Sequence, residues 1–157
     1  MAIDSRAKGR TAEIQCRDKL RKLTGLSWER TPLSGALSPN HMLKGDVYVP
    51  ETKMVFCVEV KHYKDDHINT KLLTGKSPQF MEWWAQAKRE AKQMNDKIPL
   101  LLFKHNRSKW FAAFSWIDIA VEVPDSGTNY LTVNIGNEEI YVMLLDDFAD
   151  FVGDWIE

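Results

Sequence analysis

Asp46, Glu59 and Lys61 are the residues on which chemistry can be built. They lie in the stretch Lys44–Lys61, KGDVYVPETKMVFCVEVK, with the spacing Asp-x12-Glu-x-Lys. Two carboxylates and an amine set among apolar residues are costly to bury unless they are paired or hold an ion. Magnesium takes one or two carboxylates and completes its shell with water and phosphate oxygens. Asp46 and Glu59 therefore suit a cation site for phosphodiester hydrolysis, with the backbone carbonyl of Val60 as a further oxygen. Lys61 suits the work of orienting an attacking water or neutralising an oxyanion. Glu13, upstream in a basic segment, can add a ligand directly or through water. Each residue also has a plainer reading. Glu59 and Lys61 can be an exposed pair on an edge strand, Asp46 a turn residue after Gly45, and Glu13 a local ion pair.

The elements that must position these groups follow from periodicity. In a strand, successive side chains alternate between faces. Met54, Phe56, Val58 and Val60 thus share an apolar face, Glu59 and Lys61 share the other, and Asp46 arrives from a neighbouring strand across the turn Pro50–Lys53. Asp4 to about Leu23 reads as a helix, capped by Asp4 or Ser5 and ended by Gly25. Its buried stripe is Ala12, Cys16, Leu20 and Leu23. Arg6, Arg10, Arg17 and Arg21 cluster on a different face, within about 60° of one another. Glu13 falls between the arginines and the apolar stripe.

Ser27–Thr31 reads as a short strand, Leu33–Leu43 as a loop, and His62–Ser77 as a long mobile loop. Pro78–Asn95 reads as a helix, with Phe80, Trp84, Ala87, Ala91 and Met94 on one stripe. Ile98–Lys104 and Trp110–Trp116 read as buried strands, Tyr130–Ile135 and Glu139–Leu144 as a hairpin, and Phe148–Val152 as a final helix capped by Asp146 or Asp147. This order predicts a single α/β domain with a central mixed sheet flanked by helices.

With 157 residues, 44% of them hydrophobic and 27% charged, the chain fits one ordinary globular domain. No apolar run approaches a membrane span, and Met1–Asp4 does not begin a signal peptide, so a cytoplasmic protein without a membrane partner is expected. Cys16 and Cys57 lack zinc-type spacing and read as reduced core thiols. The net charge of −1 hides an asymmetry. Residues 1–76 carry 14 basic against 9 acidic side chains, whereas residues 77–157 carry 7 against 13. A polyanion would meet the N-terminal half. Residues 115–157 read as an acidic extension of the core.

Other polar groups form no second site of comparable quality. His62, Asp65, Asp66 and His67 lie in a loop without fixed geometry. His41 and His105 have no evident partners, and Ser34 lacks the neighbours of a nucleophile. Trp83, Trp84 and Trp110 can stack on bases, but aromatic residues at such spacing usually fill cores or subunit interfaces.

Taken together, Lys8-Gly9-x-x-Ala12-Glu13, Arg30 followed by Ser34, Gly45-Asp46, and Val58-Glu59-Val60-Lys61 resemble the archaeal-type Holliday junction resolvases of the PD-(D/E)xK nuclease superfamily. Similar small resolvases occur in phages. The acid-acid-x-lysine skeleton marks only the superfamily; the KGxxAE start and the arginine-to-serine loop point to resolvases. Gly45 stands where the superfamily name has proline. The resemblance implies a restriction-endonuclease-like fold over residues 1–157 and catalytic roles for Glu13, Asp46, Glu59 and Lys61. It implies magnesium (or manganese) on Asp46 and Glu59, and DNA contacts from Arg30 and Ser34, with Lys8 and Arg10 on the backbone. Arg6 and Arg17 of the basic stripe would join them. It further implies a homodimer cutting four-way junctions. The alternatives are the same chemistry on other DNA, branched, linear or restriction-like, and a DNA-binding protein without catalysis.

Overall fold

The computed structural model describes residues 5–32, 43–74, 79–115, 119 and 127–157, the side chains at 5 and 6 excepted. Helix α1 spans Ser5–Thr24. Ala12, Cys16 and Leu20 are buried along it, one turn apart, and Leu23 packs against the same cluster. Gly25 stops the helix at φ 73, donating its N–H to the Arg21 carbonyl at 3.0 Å. The expected cap Asp4 lies outside the described residues, and Ser5 is already helical.

Strands β1 (Glu29–Arg30), β2 (Val47–Tyr48) and β3 (Phe56–Tyr63) are antiparallel neighbours. Helix α2 (Gln79–Gln93) then crosses over to β4 (Ile98–His105), which runs parallel to β3. The antiparallel strands β5 (Phe111–Ser115), β6 (Tyr130–Ile135) and β7 (Glu138–Leu144) complete the order β1-β2-β3-β4-β5-β7-β6, and α3 (Leu145–Phe151) follows. This is the mixed sheet flanked by helices that the sequence predicts, a restriction-endonuclease-like α/β core. No described helix is long and apolar enough to cross a membrane.

The sheet separates two apolar layers. Ala12, Cys16 and Leu20 of α1 meet Val58, Val60, Leu100, Leu102, Phe114 and Phe148 on one face. Phe80, Trp83, Trp84 and Ala87 of α2 meet Leu101, Phe103, Ala113 and Val142 on the other. Each fully buried aliphatic side chain contributes about 1.5–3 kcal/mol, so the two helices are held firmly against opposite faces of β3 and β4. Trp83, Trp84 and Trp110 are all buried, as are the two free cysteines.

Several boundaries differ from expectation. The segment read as a loop from His62 begins with two more residues of β3, which stay paired with Lys104 and His105 of β4. A short 3-10 turn follows at Thr70–Thr74, and residues 75–78 lie outside the described set. Asp146 and Asp147 do not cap α3. They occupy its first turn, with Leu144 at the cap position and no side-chain cap bond, because β7 runs straight into the helix. Residues 127–157 supply β6, β7 and α3, and they bury Met143, Leu145, Phe148 and Trp155 in the core. The last residues clamp the entry to β3. Val55 donates its N–H to the Trp155 carbonyl at 3.0 Å, and Glu157 to the Lys53 carbonyl at 2.7 Å.

Candidate active site

The site arises where β2 and β3 part. Val47 pairs with Val58, and Asp46 donates its backbone N–H to the Val58 carbonyl at 2.7 Å. Beyond that point β2 supplies no further rung. The Asp46 side chain replaces it, its Oδ2 accepting the N–H of Val60 at 2.7 Å. A strand residue presents its N–H and C=O to the same edge, so the Val60 carbonyl faces the same gap. Gly45 makes this approach possible. Its φ is 83, and a Cβ there would lie 2.7 Å from the Val58 carbonyl oxygen. Proline, with φ fixed near −65°, does not fit, which accounts for glycine at this position.

Glu59 and Lys61 project from the opposite face of β3, toward α2. Glu59 is only 3% exposed, and β3 is an interior strand, so the exposed edge-pair reading fails. Gln86 of α2 joins the two, donating to Glu59 Oε1 at 3.1 Å and accepting from Lys61 Nζ at 2.8 Å. Lys61 Nζ itself lies 3.7 Å from Glu59 Oε1. Glu13 comes from α1, and its Oε2 accepts two bonds from Arg30, from Nε at 3.0 Å and Nη2 at 2.9 Å. Glu13 is thus an ion pair, though with β1 and not with the arginines of its own helix.

A cleft of about 400 Å³ brings together Lys8, Gly9, Glu13, Asp46, Glu59, Val60, Lys61 and Gln86. A Cβ at Gly9 would meet nothing within 4 Å, so this helical glycine borders open space. Of the remaining expected contacts, Arg10 is exposed, and Arg17 is bound to Asp18 at 3.0 Å. Ser34 and the Arg6 side chain lie outside the described residues.

The electrostatics are those of carboxylates short of counter-charge. Burial pushes the Asp46 carboxyl up to about 6; the Val60 N–H opposes this, and the charge of Glu13 adds to it. Burial pushes Glu59 far above the carboxylate range, helped by a hydrogen bond to Glu90 that only its protonated form can make and by the charges of Asp46 and Glu90. As carboxylates, Glu59 and Glu90 each keep a buried Oε2 without a partner. Among the described residues no group of three or more His, Cys, Asp or Glu forms a ready cation cage. A magnesium site needs only one or two carboxylates, the balance being water and phosphate oxygens. The orphaned Glu59 oxygen, Asp46 and the Val60 carbonyl fit that set.

Sequence reasoning missed Gln86 and Glu90, which stand four residues apart on one face of α2, as neighbouring turns require. The visible signal was polar residues flanking an apolar stripe; that they cover Glu59 depends on the parallel crossover.

A mixed sheet with an Asp and a Glu-x-Lys at its parting strands defines the PD-(D/E)xK nuclease class. The chain belongs to the family described as "Phage putative PDDEXK endonuclease", which matches residues 4–157. It is also similar to Protein D14 of Escherichia phage T5, 43% identical over 149 residues covering 93% of this chain and 92% of that one. No solved structure matches.

Proposed function

We propose that this phage-type endonuclease is a magnesium-dependent, structure-selective enzyme that nicks four-way DNA junctions in the infected cell's cytoplasm, acting as a homodimer. The observation that carries the catalytic part is the convergence of Asp46, Glu59 and Lys61 on one cleft, with Glu13 facing them from α1. The junction preference rests on the KGxxAE start and the Arg30-to-Ser34 spacing. The dimer follows from the task, since two symmetric nicks need two sites.

Asp46 and Glu59 would hold the magnesium (or manganese) with the Val60 carbonyl, Glu13 adding a ligand directly or through water; the ion would lower the pKa of an attacking water and stabilise charge on the phosphoryl group. Lys61, kept in place by Gln86 at 2.8 Å, places its ammonium beside these carboxylates. There it can steer the water or compensate the oxyanion. Asp46 is fixed by the Val60 N–H, so its free oxygen keeps one direction throughout. Arg30 holds Glu13 at the rim.

The test is a nicking assay on an immobile four-way junction beside matched linear duplex, with magnesium, for wild type and Asp46→Asn. Paired symmetric nicks in the junction alone, lost in the variant, are expected. Equal cleavage of both substrates would retain the nuclease and remove the junction preference. Binding without cleavage of either would overturn the catalytic reading.

A further inference from the structure

Two of the arginines expected to hold DNA, and Arg21 of the same helical stripe, are committed elsewhere. Arg17 binds Asp18, Arg30 binds Glu13, and Arg21 donates to the Trp28 carbonyl and to Glu29 at 2.7 Å. A second group of cations is not. It sits where β3 and β4 leave the sheet, next to the cleft. His62, which lines the cleft, shares a 3.0 Å hydrogen bond with Asn106 of the β4–β5 turn. Asn106 also donates its N–H to the Lys64 carbonyl at 3.3 Å, tying the turn to the end of β3.

Among the described residues, Lys8, Lys64, Lys104, Arg107 and Lys109 make no ion pair with a carboxylate. Lys104 lies 5.7 Å over the Trp110 ring, which braces it without neutralising it. Arg107 is exposed and sits at φ 66, a left-handed conformation that is strained for a non-glycine residue. The nearby Asp66 accepts the Ile68 N–H at 2.8 Å and makes no ion pair with these cations.

We infer that the β4–β5 turn, through Arg107 and Lys109 with Lys64 and Lys104 behind them, is a phosphate-binding rail that carries the DNA backbone away from the cleft. The geometry fits a nucleic-acid strand. Lys61 is level with Phe103 and Tyr63 with His105, so the turn begins about 7 Å past the catalytic lysine along the strand direction. That is about two nucleotide steps of duplex at 3.4 Å each. Phosphate contacts of this kind set position and affinity without reading sequence. The inference rests on the proposed nuclease function and names the surface through which its substrate is held.

The experiment is fluorescence anisotropy of a labelled four-way junction in EDTA, across a salt series. It compares wild type with Arg107→Ala/Lys109→Ala and, as a charge-matched control, Lys22→Ala/Lys92→Ala, two exposed lysines outside the cleft. Each phosphate contact contributes about 0.9 to the slope of log K against log salt, so the turn variant should lose about 1.8 and the control nothing. Thermal melts of both variants should match wild type. An unchanged slope in the turn variant, or an equal loss in the control, overturns the rail. Absence of any DNA binding by wild type overturns it as well. Absence of wild-type cleavage with the slope difference intact would instead remove only the nuclease reading.

Discussion

The Asp46 carboxylate accepts the backbone N–H of Val60 at 2.7 Å, so one side chain both ends a β ladder and points at the cleft. The two duties can be separated. Asp46→Asn keeps an acceptor for Val60 while removing the charge. It should melt no lower than wild type at neutral pH yet lose all cleavage. Asp46→Leu leaves the N–H unpaired, at a cost of about 1–3 kcal/mol. Urea denaturation beside nicking distinguishes the two; equal stability for both variants would show that the bond matters little.

Asp46 is raised from 3.8 to about 6, and Glu59 from 4.5 to far higher. Both carboxyls bind protons more tightly in the folded chain. Their contribution to stability is therefore complete below the unfolded values near 4 and is lost as pH rises through the folded ones. In EDTA the melting temperature of wild type relative to Glu59→Gln should fall between pH 4.5 and 7. Magnesium should reverse the fall, and more strongly at pH 8 than at pH 5.5. A relative melting temperature that climbs with pH in EDTA would contradict this.

Gln86 holds Glu59 and Lys61 from opposite ends of one amide. Gln86→Ala should lower kcat by about 10–100-fold, the range for a residue that orients ligands. Gln86→Glu, able to accept from Lys61 but not to donate to ionised Glu59, should recover only part of the rate. An unaltered kcat in both variants would make Gln86 a packing residue alone.

Two glycines should respond oppositely to alanine. Gly9 borders open space on a helix, so Gly9→Ala should add about 0.5–1 kcal/mol of stability. Gly45→Ala combines a left-handed φ, about 1–2 kcal/mol, with a Cβ 2.7 Å from the Val58 carbonyl oxygen, about 1–3 kcal/mol of overpacking. Chemical denaturation measures both; the same sign for both substitutions would refute the assignment.

Strand β3 was readable in the sequence because its alternation survives burial: Phe56, Val58 and Val60 lie on one face, Glu59 and Lys61 on the other. Helices α1 and α2 were readable from their apolar stripes. The partners were not. Gln86 reaches Glu59 across 27 positions and Arg30 reaches Glu13 across 17, and periodicity within a segment carries no information about such distances. The arginine stripe of α1 shows the same limit. Its helical phase is regular and Asp18 is simply the neighbour of Arg17, but Glu29 and the Trp28 carbonyl, which engage Arg21, come within reach only when the chain turns back at Gly25. The left-handed Arg107, in a turn that reads as merely polar, had no sequence signature.

The clamp that Trp155 and Glu157 place on Lys53 and Val55 has a consequence during translation. A ribosome adds roughly 5–20 residues per second, and roughly ninety residues separate Tyr63 from Trp155, so on the order of 5–20 s pass between them. Throughout that interval the nascent polypeptide carries Asp46, Glu59 and Lys61 without the backbone that pins the entrance of their strand. These groups are thus synthesised well before the backbone that pins the entrance of their strand.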